Sequence, residues 1–122
     1  MIRIVGVQRS DSPPQEFVLL QNQGNMRLPL RGHLILCQRA LDSSDLNLGS
    51  YVFADEAVIP AGMYVLLVTG IGESRWSKTK DGAMIYYAFM NQERSVWNEV
   101  PGPMHLLSTQ HTYSERTTIA YR

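Results

Sequence analysis

A chain of 122 residues, 44% of them hydrophobic, is sized for one domain and buries roughly two thirds of its unfolded surface without needing staples. Eleven basic residues balance eleven acidic ones, so the molecule as a whole exerts no bulk electrostatic pull on nucleic acid or an anionic membrane. The single cysteine, Cys37, excludes an internal disulfide and a thiolate zinc cluster built from this chain alone.

Ile2, Ile4, Val5 and Val7 predict a short first strand that stops at Asp11-Ser12-Pro13-Pro14, where two prolines lack ladder donors. This opening run is too short for a signal peptide, and no later run approaches the roughly 20 apolar residues of a spanning helix. Glu16 to Asn22 predicts a second strand, with Phe17 and Leu19 on one face, Val18 and Leu20 on the other, and its centre buried on both sides. Gln23-Gly24-Asn25 reads as a turn and Leu28 to Cys37 as the returning strand, so the whole segment reads as strand, turn, strand. Within the returning strand, Gly32 marks a bulge or a close backbone approach, and Pro29 marks an edge or a strand start.

Leu41 to Ser50 is rich in Asp, Ser, Asn and Gly and reads as an exposed loop. Tyr51-Val52-Phe53 is a brief strand. Pro60-Ala61-Gly62 turns the chain into Met63 to Thr69, which reads as a central strand. Glu73 to Gly82 reads as a polar loop carrying Arg75, Trp76, Lys78 and Lys80. Strands are predicted again over Met84 to Phe89 and Met104 to Leu107, with Pro101-Gly102-Pro103 forcing a turn between them, and Thr112 to Tyr121 closes the chain. Short strands at fairly regular spacing, punctuated by Gly and Pro, predict an all-β sandwich or barrel.

The order and spacing of several motifs resemble the lamin tail domain, an immunoglobulin-like module. The matching residues are Glu16 to Gly24, Leu30-Arg31-Gly32-His33-Leu34-Ile35, Phe53, Ile59-Pro60-Ala61-Gly62-Met63-Tyr64-Val65, Val96-Trp97-Asn98 and Met104-His105-Leu106-Leu107. The resemblance spans most of the chain. It implies an immunoglobulin-like β-sandwich over residues 1–122 that serves as a non-enzymatic protein-interaction or assembly domain and needs no cofactor. Where that family places Trp after the glycine equivalent to Gly32, this chain has His33, which is expected to be a hydrogen-bonded, half-buried packing residue.

Residues able to carry chemistry are sparse. There is no Gly-X-Ser-X-Gly, and Cys37 is expected among apolar neighbours, where a thiol is inert. Asp42, Asp45, Asp55 and Glu56 read as solvated loop charges, and Asp42 with Asp45 lacks the fuller oxygen pattern of a calcium loop. His105 and His111, facing each other across a hairpin near Ser108 with Glu115 as a third ligand, are what a small metal-dependent hydrolase would use; two rim histidines are the simpler reading. Arg75, Trp76, Lys78 and Lys80 form the candidate partner surface. Basic residues beside an exposed aromatic serve either a protein partner, which favours Trp and Arg as anchors, or phosphate contact with base stacking. Nine of the eleven basic residues are Arg, which suits bidentate contacts and ordinary surface pairs alike. Three readings therefore stand side by side: a protein-interaction module using an edge strand or the Trp76 loop, a nucleic-acid-binding domain on the same residues, and the metal hydrolase.

Overall fold

The computed structural model describes residues 1–108. Ten strands follow one another: β1 (Ile2–Gln8), β2 (Phe17–Asn22), β3 (Leu28–Pro29), β4 (His33–Cys37), β5 (Ser50–Val52), β6 (Val58–Ile59), β7 (Tyr64–Val68), β8 (Arg75–Lys78), β9 (Met84–Phe89) and β10 (Met104–Ser108). They form a five-stranded sheet in the order β1-β2-β7-β9-β8, a three-stranded sheet in the order β10-β4-β5, and a two-stranded ribbon of β3 and β6. One cluster of buried residues joins all three, including Val18, Leu20, Val65, Leu67 and Ala88 from the large sheet, Ile35 from the small one and Ile59 from the ribbon. The molecule is an all-β sandwich.

The segment read as a hairpin is not one. β2 pairs with β1 and β7, whereas β3 pairs with β6, and β4 pairs with β5 and β10. The turn after β2 carries the chain out of the large sheet into the β3–β6 ribbon, which leads on to β4 in the small sheet, so that β2 and β4 bury apolar side chains in one core from different sheets. Asn22 fixes this crossing. It is fully buried, and its amide donates to the carbonyls of Met26 (2.8 Å) and Ile59 (2.9 Å) while its oxygen accepts from Gly24 N–H (3.0 Å).

Strand burial follows the period of two, with one reset. In β2, Val18, Leu20 and Asn22 are buried, while Phe17, Leu19 and Gln21 are half-buried on the other face. Full burial on both sides, expected from the apolar run, holds for one face. In β1 a bulge between Ile4 and Gly6 shifts the register, so that Ile2 pairs with Asn22 and Ile4 with Leu20, yet Val7 pairs with Val18. One extra residue thereby keeps apolar side chains of odd and even number on the core side. β7 lies at the middle of the large sheet, paired antiparallel with β2 and parallel with β9, the central position predicted for it.

Two segments depart from the loop reading. Part of 41–50 is regular: an α-helix, α1 (Gln38–Ser43), and a 3-10 turn over Leu46–Leu48. Cys37 caps α1 through its sulfur, which accepts from Ala40 N–H at 3.4 Å, so the buried thiol has a structural job. Gly32 sits in the turn between β3 and β4 at φ 91°, a left-handed conformation rather than a strand bulge. Beside it, His33 is buried, more deeply than expected, with Nδ1 2.9 Å from the Leu30 carbonyl.

A carboxylate lies at the core of the fold. Glu16 is fully buried; Oε2 accepts from Thr69 Oγ1 (2.8 Å), Val96 N–H (2.8 Å) and Trp97 N–H (3.1 Å), and Oε1 accepts from Ser10 N–H (3.3 Å). It gathers four stretches of chain at one point, and the Trp97 segment it holds delivers a fully buried indole to the core. Arg9 clasps the same segment from outside, donating to the carbonyls of Trp97 (3.1 Å) and Gly102 (2.8 Å).

Candidate functional site

The residues singled out at 75–80 belong to a strand and its turn rather than to a loop. β8 pairs antiparallel with β9, setting Arg75 opposite Tyr87, Trp76 opposite Tyr86, Ser77 opposite Ile85 and Lys78 opposite Met84. The turn that joins them is closed by Thr79 N–H to Ala83 O (2.8 Å) and Ala83 N–H to Thr79 Oγ1 (3.1 Å), with Gly82 at φ 84°. Asp81-Gly82 between two short runs is the local signal for such a hairpin. It is masked because β8 has no apolar alternation to read.

β8 is the outer strand of the large sheet. Its phase follows from the Thr79–Ala83 hydrogen bond: in an antiparallel ladder hydrogen-bonded pairs recur every second residue, so Arg75 and Ser77 turn their backbone groups toward β9. The N–H and C=O of Trp76 and Lys78 therefore point away from the sheet. Among the described residues that is an open edge, of the kind able to take up a further strand.

Alternation splits the four predicted residues between two faces. Arg75 lies on the outer face, its guanidinium carbon 4.5 Å from the Tyr87 ring centre and 5.7 Å from that of Phe89, over two rings that stack 6.5 Å apart. The floor beside it is apolar, made by Phe17, Leu66 and Val68. Trp76 and Lys78 lie on the opposite face. Trp76 packs edge-on against Tyr86 at 5.1 Å and keeps 38% of its surface exposed. Lys80 is exposed on the turn. Arg75, Lys78 and Lys80 form no ion pair among the described residues, where Arg31 pairs with Glu56.

Below Trp76, Asp55 organises the strand's start. Its Oδ2 accepts from Tyr86 Oη (2.6 Å) and from Ser74 Oγ (2.9 Å), linking the loop after β5 to the entry of β8. Asp55 is therefore a bonded anchor and not a merely solvated charge. Burial raises Tyr86 above its ordinary pKa of 10.0, and the hydrogen bond to Asp55 raises it further. Tyr51 is raised in the same way by burial and then by the Asp55 charge. Both phenols keep their protons in the folded protein at a pH where the unfolded chain has lost them. Their contribution to stability is thus complete below pH 10 and is lost as pH climbs through the folded values. Urea unfolding between pH 9 and 11 is expected to show a fall in midpoint that is shallower in a Tyr51→Phe, Tyr86→Phe variant.

Of the histidine constellation, His105 alone falls among the described residues. His105, half-buried on β10, has Nε2 2.6 Å from Gln38 Oε1, and Gln38 Nε2 donates to Asp42 Oδ1 at 2.7 Å. Its ring is thereby tied to α1. His111 and Glu115 lie outside the described residues.

Fold and edge define a class: an all-β sandwich whose β8 edge is open among the described residues. Set against models of protein families, curated proteins and solved structures, the chain matches none of them. Among the described residues no helix is long and apolar enough to cross a membrane.

Proposed function

We propose that this chain is a non-enzymatic protein-interaction or assembly module of the immunoglobulin-like, lamin-tail type, and that it takes a partner's strand at the β8 edge. The observation that carries the reading is the outer side of β8, unpaired among the described residues, where Trp76 and Lys78 present backbone donors and acceptors beside a part-exposed indole. The lamin-tail assignment is supported by where the motif residues lie. Glu16 and Asn22 bracket β2 as buried hydrogen-bond hubs, Pro60-Ala61-Gly62 turns the chain into the central strand, and Trp97 is fully buried.

Proline at position 78 separates this reading from others. It removes an outward N–H and leaves the β8–β9 ladder intact, so it blocks strand addition without unfolding the hairpin. A partner captured by the wild-type chain is expected to be lost by Lys78→Pro and kept by Arg31→Ala; retention by both places the interface elsewhere. Titration with duplex and single-stranded DNA at low salt tests the phosphate reading of the same residues. Salt-sensitive binding that disappears in a triple Arg75, Lys78 and Lys80 to Ala variant would replace the protein partner by nucleic acid.

A further inference from the structure

We infer that the strand received at β8 is an acidic one, carrying an apolar residue opposite Trp76 and carboxylates opposite Lys78 and Arg75; this rests on the strand-docking reading above. In an antiparallel addition, residues directly opposite share a face with Cβ atoms about 4.5–5.5 Å apart. A partner residue opposite Trp76 meets the indole surface that Tyr86 leaves uncovered. The residue opposite Lys78 falls on the same face, two positions away, and the residue opposite Arg75 on the other. Read from N to C in the partner, the pattern is acidic, any, apolar, acidic.

Charge selects the carboxylates. Three cations, Arg75, Lys78 and Lys80, lie within six residues, and none forms an ion pair among the described residues. Arg75 rests on the rings of Tyr87 and Phe89, which leaves the N–H edges of its guanidinium without a hydrogen bond among the described residues. The nearby acids do not neutralise the strand. Asp55 is engaged by Tyr86 and Ser74, Glu73 precedes β8, and Asp81 lies in the turn beyond it.

The same charges argue against a second copy of this chain as the occupant. In one two-fold register that matches outward residues with outward residues, Trp76 faces Lys78 on both strands and the two copies of Lys78 lie on a diagonal. Both sets of three cations then share one short ladder with no carboxylate opposite any of them. Six cations gathered along one short ladder without a carboxylate repel one another, and lysine on an edge strand is one way such strands avoid pairing with themselves. An acidic strand converts that obstacle into attraction.

The full 122-residue chain would be titrated with three peptides that differ only at the two charged positions. Their cores are Asp-Thr-Val-Glu, Asn-Thr-Val-Gln and Lys-Thr-Val-Lys. The acidic peptide is expected to bind roughly tenfold more tightly than the amide peptide at low salt, the sum of two cross-strand charge pairs, and the gap should close as salt rises. Lys78→Ala should narrow that advantage, weakening the acidic peptide by more than it weakens the amide peptide. Lys78→Pro should abolish both. If all three peptides bind alike and Lys78→Pro removes them all, the acidic preference is wrong and strand docking stands. Should no peptide bind, or should Lys78→Pro bind as the wild type does, both proposals fail.

Discussion

Replacing Glu16 by Ala is expected to cost about 3–5 kcal/mol of folding stability, because several buried donors lose their acceptor at once. The N–H groups of Val96 and Trp97 and the Thr69 hydroxyl all end on Oε2, and the two amides have no other acceptor among the described residues. Each orphaned buried donor costs about 1–3 kcal/mol, and the four segments held at this point lose their common anchor. Glu16→Gln separates charge from connectivity. Its amide oxygen at the Oε2 position still accepts from three donors, and its NH2 at the Oε1 position faces Ser10 N–H, so the expected cost is only about 1–2 kcal/mol. Urea unfolding of both variants checks this. Equal losses would show that the carboxylate's charge, and not its role as a shared acceptor, holds the segments.

Trp97→Ala is the second large effect, with an expected loss of about 3–5 kcal/mol from the cavity and the lost transfer energy. The indole is fully buried. Its ring edge comes within 3.6 Å of where a Cβ on Gly49 would stand, so the pocket closes tightly around it. Trp97 Nε1 is a buried donor with no hydrogen-bond partner among the described residues. That makes Trp97→Phe informative: it removes volume and an unsatisfied polar group together. It should cost below about 2 kcal/mol, less than the loss of ring area alone would imply. The readout doubles as a probe, because the other tryptophan, Trp76, is part-exposed and keeps reporting on the β8 edge when Trp97 is gone.

Neither variant touches the β8 edge directly, so together they separate foldedness from binding. A Glu16→Gln protein that stays folded should still pair through Trp76 and Lys78. A Lys78→Pro protein should unfold at the wild-type midpoint.

Much of the strand pattern was legible along the chain. The runs at Tyr64–Val68 and Met84–Phe89 are dense in β-branched and aromatic residues and bounded by turns, and both are strands of the large sheet. So was the burial of Cys37, since its neighbours are apolar. β8 was not legible as a strand. Arg75 to Lys78 is polar throughout, and only its hydrogen bonds to β9 make it one. The helix α1 was hidden because its cap is a cysteine sulfur, outside the usual Ser, Thr, Asp and Asn set.

By itself the sequence determined where short apolar runs alternate with turns, and hence an all-β sandwich or barrel with Arg75, Trp76, Lys78 and Lys80 at its surface. Tertiary structure decided which strands pair. A run of alternating residues states that one face is to be buried, but not against what, and β2 and β4 satisfy that demand from opposite sheets. It also decided that Glu16 and Asn22 turn inward as hubs and that Arg75 and Trp76 part to opposite faces. Those outcomes depend on backbone donors and sheet neighbours far away in the chain, and residues 53, 80 and 81 positions apart meet on one carboxylate.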